Sequence, residues 1–282
     1  MRIIPNDIIG EILGVPSIFQ HNPIKSNFIC PFIKNQCTKR SHKISGPYPI
    51  CSVFHGKDTN RKLICICPKR FFGADFKQQI IDICWPNDYP KNPVIVHEIK
   101  MENFGNVDFV IADVDEEKQR VRQFISVELQ AVDITGSVEP AYQAFINSQQ
   151  TMIKNFNYGI NWENVRKRYI TQLINKGFFH HHWQSKIIAV IQLALYNNLR
   201  EKIRFDELDP KSENSNIVFM LYDFDKIEFN NSFHYEIKYK KAIGTSHSSL
   251  MNAALYKTPP SKDKFEERIL SVLNKKDNIN KY

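Results

Sequence analysis

The sequence predicts a mixed α/β (α+β) fold in which one β-hairpin organises the rest of the chain. The stretch 106–136, NVDFVIADVDEEKQRVRQFISVELQAVDITG, holds two β-prone runs, 107–114 and 123–132, separated by a polar turn. Two further β-prone runs, 217–225 and 233–244, follow toward the C-terminus, and segments with helical spacing lie between. A sheet with helices packed against it is the arrangement that such a mixture favours.

Length and charge narrow the classes of protein. A chain of 282 residues can bury a substantial core as one large domain or two smaller ones. No apolar run approaches the roughly 18 residues of a membrane span, and the start, MRIIPNDIIGEILGVPS, lacks the apolar core of a signal peptide. We therefore expect a cytoplasmic protein without membrane contact. The net charge of +8 favours a polyanionic partner.

Helices are predicted where apolar residues recur every three or four positions. These segments are 6–13, capped by Asn6; 75–85, ending before Pro86; 139–154; a basic segment beginning near Trp162; 184–199; and 265–273. Residues 92–101, NPVIVHEIKM, fit either a strand or a helix, and 204–215 reads as a loop. The apolar stripe of 184–199 would serve either core packing or dimerisation.

Polar side chains meet on one face of the predicted hairpin. Because strand side chains alternate between faces, one face carries Phe124, Ser126, Glu128 and Gln130, while the core face carries Ile125, Val127 and Leu129. Asp108 of the first strand can approach Glu128 and Gln130. Two carboxylates with a strand carbonyl between them suit Mg²⁺, which takes oxygen ligands and keeps positions for water and phosphate. Taken alone, the pattern fits solvated surface residues equally well.

Five of the six cysteines fall between Cys30 and Cys67, in a basic segment rich in Pro, Gly and Lys. Cysteines in a reducing compartment are either ordinary buried residues or metal ligands rather than a disulfide framework, and a segment of this kind favours a metal ion as its staple. Four thiolates suit zinc or iron. The CPKRFF motif at Cys67 echoes CPF at Cys30, so the predicted ligands are Cys30, Cys37, Cys51 and Cys67, with Cys65 and Cys84 as buried thiols.

Several sequence blocks in a fixed order point to a known family. CPF, a second Cys followed by Thr-Lys, PICSV, ICPKRF, HEIKM, NVDFVIAD, SVELQAVDITGS and EPAYQAF resemble the NotI-type restriction endonucleases over residues 27–195. The resemblance implies a PD-(D/E)xK nuclease core with a mixed central sheet flanked by helices in 76–282. It also implies a Cys₄ lobe holding iron within 1–75, a homodimer in the bacterial cytoplasm, and Mg²⁺-dependent cleavage of palindromic double-stranded DNA.

Carried over residue by residue, the resemblance implies Asp108, Glu128 and Gln130 in the active site, with Mg²⁺ on the two acids. Glu98 in HEIKM matches an additional glutamate of the family and is expected to assist, and a surface role explains it nearly as well. Gln130 stands where the commoner motif has lysine. A neutral amide can orient water or phosphate, but it supplies no positive charge.

The segment 154–186 is basic and aromatic and is the predicted site of DNA contact. Trp162, Val165, Tyr169 and Leu173 recur at helical spacing and should pack inward. The residues expected to contact DNA are Arg166, Lys167, Arg168, Lys176, His182, Gln184 and Lys186. A solvated charged face would produce the same pattern.

Two functions explain these features. The first is a type II restriction endonuclease that leaves 5′-phosphates; the second is a metal-stapled protein that binds double-stranded DNA without cutting it. Carboxylates without a cation between them would repel DNA, so the acid cluster on one face of the hairpin favours the nuclease.

Overall fold

Strands form where the sequence concentrates β-branched and aromatic residues. A computed structural model describes residues 2–41, 44–56, 60–86, 88–102, 104–149, 152–153, 158–256 and 261–273. Its strands are β1 (Arg2–Ile3), β2 (Ile9–Ile12), β3 (Val15–Pro16), β4 (Ile29–Cys30), β5 (Asn35–Gln36), β6 (Ile50–His55), β7 (Lys62–Cys65), β8 (Pro93–Met101), β9 (Gly105–Asp115), β10 (Arg120–Gln130), β11 (Ile134–Gly136), β12 (Met152–Ile153), β13 (Tyr158–Ile160), β14 (Lys186–Gln192), β15 (Ile217–Phe229) and β16 (Ser232–Thr245).

Helices flank these strands. They are α1 (Phe76–Cys84), α2 (Glu139–Ile146), α3 (Trp162–His182), α4 (Leu193–Lys202), α5 (His247–Leu255) and α6 (Lys262–Leu273). Short 3-10 helices occupy Pro5–Asp7, Ser17–Phe19 and Pro68–Gly73. The longest helix, α3, begins after Asn161, whose side chain accepts a hydrogen bond from the Asn164 amide at 3.1 Å. This is the N-cap interaction that satisfies a free amide of the first turn.

The central sheet has six strands in the order β16-β15-β14-β10-β9-β8. β14 runs parallel to β10 and β15, while the other neighbours are antiparallel. The predicted hairpin is β9 and β10, and its two strands lie between β14 and the edge strand β8. The mixed α+β architecture with a central sheet flanked by helices is therefore confirmed.

Different helices cover the two faces of the sheet. One face packs against α1 and the 3-10 helix Pro68–Gly73, with Ile125, Val127 and Leu129 pointing into that core. The other face packs against α3 and α4. The first core surface is the apolar face predicted for the second hairpin strand, and Glu128 faces α3 instead. The alternation of side chains thus places the acids on the α3 side.

A smaller sheet, β3-β2-β6-β7, and the β4–β5 hairpin form the N-terminal lobe. Arg70 and Glu11 form a buried ion pair at 2.9 Å, and Arg70 also donates to the Tyr235 carbonyl of β16 at 2.6 Å. The hydrophobic cluster that contains Ile9 and Ile50 of this lobe continues to Leu195 beside the central sheet. The predicted division of the chain at residue 75 stays a prediction, and its two parts share this packed interior.

Residues 6–13 do not form the predicted helix. Pro5–Asp7 is a single 3-10 turn and Ile9–Ile12 is β2, which pairs with β3 and β6. Gly10 allows this packing, because a Cβ there would lie 2.1 Å from Leu63 Cδ1. The prediction was wrong because so short an apolar segment fits both periodicities, and partners distant in sequence decide between them.

The predicted helix 184–199 is a strand followed by a helix, β14 and α4. All seven residues of β14 are buried, and the strand lies between β10 and β15. A parallel strand covered on both faces is apolar throughout, so it shows no alternation. The burial also removes β14 as a dimer interface, which the helical interpretation had offered.

The helix predicted for 139–154 is shorter than expected. It is α2, which ends at Ile146, and Ser148 then adopts a positive φ of 57° that leaves the helical path. Met152–Ile153 pairs with β1, while residues 150, 151 and 154 lie outside the described residues.

Residues 92–101, left open between strand and helix, form the edge strand β8.

Other predictions are confirmed. The helices at 75–85, after Trp162 and at 265–273 are present as α1, α3 and α6, and the C-terminal strands are β15 and β16. Within the described residues, the helices lack the length and apolar character required to span a bilayer.

Candidate active site and cysteine cluster

Asp108 and Glu128 lie side by side on β9 and β10. The ladder between these strands ends with Val127 opposite Phe109, so the next position in register brings Glu128 level with Asp108. The Leu129 amide donates a hydrogen bond of 2.7 Å to Asp108 Oδ2, which fixes the carboxylate against the second strand. Asp108 is exposed, and the Glu128 side chain retains 14% of its accessible surface. The acid pair therefore opens to solvent on the α3 side of the sheet.

Lys176 of α3 reaches this acid pair. Its side chain is only 4% exposed, and its Nζ forms an ion pair with Glu128 Oε1. Nζ also donates to the Asn106 carbonyl at 2.7 Å, two residues before Asp108 on β9. The ammonium group thus bridges the two strands that carry the acids.

The surroundings of Glu128 shift its pKa in opposing directions. Burial raises the pKa of Glu128, the Lys176 ammonium opposes that rise, and the Asp108 carboxylate adds to it. Tyr169 lies about two turns before Lys176 on α3. Its hydroxyl is buried without a hydrogen-bond partner among the described residues. Burial raises the pKa of Tyr169 well above its usual range, and the charges of Glu128 and Asp108 raise it further, which places this hydroxyl near both acids.

The other two predicted active-site residues, Gln130 and Glu98, lie on different strands. Gln130 lies at the end of β10, and its Nε2 donates to the Ala131 carbonyl at 2.5 Å rather than to either acid. Glu98 is exposed on β8, where the pairs His97–Phe109 and Ile99–Val107 place it level with Asp108. Its φ of 54° interrupts the strand at this point. Glu98, Asp108 and Glu128 therefore lie in one row across three neighbouring strands.

The residues predicted to contact DNA divide into exposed and buried sets. Lys167, Arg168, His182 and Gln184 are exposed on α3 or just after it. The remaining three are engaged within the protein: Arg166 with Glu163 on the same helix, Lys176 with Glu128, and Lys186 with the Pro210 and Ser212 carbonyls. The exposed set stays the predicted source of phosphate contacts. Lys176 and Lys186 are buried below the α3 surface, and Lys176 faces the acid pair.

The four cysteines predicted to bind metal come from neighbouring strands of the N-terminal lobe. Cys30 ends β4, and Cys37 follows β5 with its amide bonded to the Phe28 carbonyl at 2.8 Å. Cys51 lies on β6, and its carbonyl accepts from the Ile66 amide at 3.0 Å, immediately before Cys67. All four side chains are buried and all six thiols of the chain are free.

The four predicted ligand thiols affect one another's pKa. Burial raises the pKa of Cys37, and the Cys67 and Cys30 thiols raise it further. Burial likewise raises the pKa of Cys51 far above its usual range, with Glu11 and then Cys67 adding to the effect. Cys67 is therefore close to both Cys37 and Cys51.

Cys65 and Cys84 are buried thiols, as predicted. Cys65 packs with Phe71 and Phe76 in the hydrophobic cluster on the α1 side, and its amide donates to Gln192 Oε1 at 2.9 Å. Cys84 lies in the same cluster, with its Sγ 3.5 Å from Met220 Sδ. Cys30 and Cys37 belong to the other cluster, so the core packing separates them from Cys65 and Cys84.

A family comparison identifies the protein family of the chain. The family model described as restriction endonuclease NotI matches residues 19–235, which includes both acids and the whole cysteine cluster. The chain belongs to the NotI restriction endonuclease family. It is therefore related to nucleases that act on DNA, and the resemblance found in the sequence blocks is confirmed. Comparison with curated proteins gives no match.

The donor groups of this NotI-family chain suit the two metals that the sequence predicts. Asp108 and Glu128 supply two carboxylates, the number that Mg²⁺ commonly takes from a protein, and the four buried thiols are the donor set of structural zinc or iron. Within the described ranges, no three His, Cys, Asp or Glu side chains already stand together as a metal site. Both metal sites therefore stay predictions that rest on donor chemistry.

Sequence reasoning missed two residues that lie beside the acid pair. Tyr169 was assigned to core packing and Lys176 to DNA contact, yet both lie on the face of α3 that turns toward the acids. The signal was present in the helical period. The buried positions Val165, Tyr169 and Leu173 are continued by Lys176 and His180, so a lysine stands on the inward stripe.

Proposed function

We propose that this protein is a type II restriction endonuclease that hydrolyses duplex DNA at a palindromic site with Mg²⁺ and leaves 5′-phosphates. The observation that carries the proposal is the row of carboxylates at the solvent-open end of β9 and β10, with Asp108 held by the Leu129 amide at 2.7 Å. Family membership supplies DNA as the substrate class.

The reaction assigns separate tasks to the residues of the site. Asp108 and Glu128 would hold the cation, together with the Leu129 carbonyl. Bound there, Mg²⁺ supplies Lewis acidity and a water of lowered pKa. Gln130 positions water or the scissile phosphate, and Glu98 assists from β8. A water oxygen bonds to phosphorus and the bond from phosphorus to O3′ breaks. One water proton ends on O3′, and the other remains on the new phosphate or passes to solvent.

The cysteine cluster has a structural task in this proposal. Cys30, Cys37, Cys51 and Cys67 would hold zinc or iron, and four thiolates leave no open position for a substrate. The cluster lies between the β4–β5 hairpin and the end of the β6–β7 pair, so a metal ion would tie these strands together.

A palindromic site favours a homodimer, because two subunits related by a two-fold axis make the same contacts in each half-site. Light scattering should then give a mass near twice 33.0 kDa. Exposed Lys167 and Arg168 should make DNA binding depend steeply on salt, with a slope of roughly one unit for each phosphate neutralised.

The non-catalytic alternative gains support from one observation. Lys176 already neutralises Glu128, so the acids are less repulsive to DNA than two free carboxylates would be. The match to an endonuclease family and the solvent-open Asp108 still favour the nuclease.

Digestion of a varied plasmid library with Mg²⁺, followed by mapping of the ends, tests the proposal. Discrete fragments with 5′-phosphates and 3′-hydroxyls are expected. Duplex binding without cleavage in either Mg²⁺ or Mn²⁺ would instead establish the non-catalytic alternative.

A further inference from the structure

We propose that Lys176 of α3 is a catalytic residue that supplies the positive charge absent from the E-x-Q motif. The inference rests on the proposed nuclease function. It assigns the ammonium group, which in the commoner motif lies two residues after the second acid, to a helix on the far side of the active site.

The position of Lys176 supports this assignment. Its Nζ contacts Glu128 on β10 and the Asn106 carbonyl on β9, so the charge lies between the two acid-bearing strands. These bonds occupy two of the three N–H groups of an ammonium ion. The third can donate to a phosphate oxygen or to the attacking water. Gln130, by contrast, is neutral and donates to Ala131.

Gly177 allows α3 to pack closely against the sheet beside this lysine. Gly177 is buried, and a Cβ added there would lie 2.7 Å from Ile217 Cδ1 of β15. A residue with a side chain would force either the Ile217 side chain or the helix to shift. Leu173, fully buried one turn earlier, fixes the rotation of the helix. Lys176 therefore enters the site from a rigid element, which is the arrangement that precise catalytic placement requires.

Lys176 would act through its positive charge. In the resting enzyme the ammonium neutralises Glu128. When the phosphodiester arrives, the same charge lies where negative charge develops on the phosphoryl oxygens, so it stabilises the transition state more than the ground state. A purely structural ion pair would support Glu128 but would make no difference to a phosphate.

A charge-relocation experiment separates these two roles. Lys176→Gln should lower kcat by about 10²–10³-fold, which is the usual loss when one preorganised donor is removed, with KM and duplex binding in Ca²⁺ nearly unchanged. The Gln130→Lys change in the same chain should return at least tenfold of that loss, because the charge comes back on β10. Lys202→Gln, an exposed lysine on α4, is the control and should cleave at the wild-type rate.

Each outcome has one meaning. Cleavage by Lys176→Gln within about threefold of wild type would overturn the inference. A folded but inactive Lys176→Gln that Gln130→Lys fails to restore, although Gln130→Lys alone is active, would show a structural role only. If thermal melting shows that Lys176→Gln does not fold, Lys176→Met fills the same space without charge and replaces it. Failure of the wild-type protein to cleave any duplex would instead reject the proposed function.

Discussion

The acid pair on β9 and β10 and the cysteine cluster of the N-terminal lobe both gather potential metal ligands, but they differ in access to solvent. Asp108 is exposed and Glu128 is partly exposed, whereas Cys30, Cys37, Cys51 and Cys67 are all buried. An open site keeps coordination positions for water and substrate, and a closed site does not. The difference in burial therefore fits the proposed roles, which are chemistry at the acids and stability at the thiols.

The two regions also differ in how the protein handles their charge. Lys176 forms a direct ion pair with Glu128. In the lobe, Lys39 is half-buried and donates to the Ile50 and Ile66 carbonyls at 2.7 and 3.0 Å. Burial lowers the pKa of Lys39, and the nearby Cys67 and Cys51 thiols oppose that change. The lysine of the acid site thus pairs with a carboxylate, whereas the lysine of the lobe is bonded to backbone carbonyls.

The largest expected effect comes from removing an acid. Asp108→Asn or Glu128→Gln should reduce cleavage by at least about 10³-fold, because each removes a charge that the cation needs, while the fold and duplex binding stay largely intact. Glu102→Gln, an exposed acid just past the end of β8, is the matched control. Single-turnover cleavage and a binding assay in Ca²⁺ measure both properties. Cleavage retained in either acid variant would remove the distinction between the two regions.

The next effect concerns the closed site. Changing Cys30, Cys37, Cys51 or Cys67 to Ser should release the metal and lower the free energy of unfolding by about 3 kcal/mol or more, since metal binding is coupled to folding of such a lobe. Cys84→Ser should keep one equivalent of iron or zinc per chain. Elemental analysis after gel filtration and thermal melting provide the measurements. Full metal retention in one of the four variants would show that this cysteine is not a ligand.

A third effect tests the buried face of α3, which packs against the sheet beside the acid site. His180 is completely buried there, without a hydrogen-bond partner among the described residues. Burial, with a smaller contribution from the charge of Lys176, lowers the pKa of His180 to about 3. An unfolded histidine takes up its proton near pH 6.5, so below that value the unfolded chain binds a proton that the folded chain excludes. Stability should therefore fall as pH decreases from about 6.5 toward 3.

The expected slope for this one group is up to about 1.4 kcal/mol per pH unit. Urea unfolding at a series of pH values measures it. His180→Leu, which cannot be protonated, should remove this part of the slope. An unchanged slope in the variant would mean that His180 is not held neutral by the fold.

The smallest effect is expected at Glu98. It lies level with Asp108 on the edge strand β8, but it is exposed and forms no contact with either acid among the bonds described here. Glu98→Gln should lower cleavage by less than about tenfold, a loss of at most roughly 1.4 kcal/mol in transition-state stabilisation. A loss as large as that of Asp108→Asn would move Glu98 into the set of principal cation ligands.

The same contrast explains which features the sequence could predict. The β9–β10 hairpin is local, so alternation along one stretch was enough to bring Asp108 and Glu128 together. The strand β14 is apolar on both faces, and no local pattern distinguishes it from a helix. Lys176 lies on another element, and only the packing of α3 on the sheet could reveal its contact with Glu128. Contacts between distant elements therefore escaped prediction, while contacts within one hairpin did not.

Cation binding tests the central claim most directly, because it separates the acid pair from every other contribution to cleavage. Mn²⁺ can be titrated into the metal-replete protein and its binding followed by electron paramagnetic resonance, with and without a random-sequence duplex. Wild type and Glu102→Gln should bind Mn²⁺ at the acid site, and Asp108→Asn and Glu128→Gln should lose that binding while they retain the metal of the cysteine lobe. Wild-type Mn²⁺ affinity in Asp108→Asn would contradict the assignment of the open carboxylate pair as the catalytic cation site.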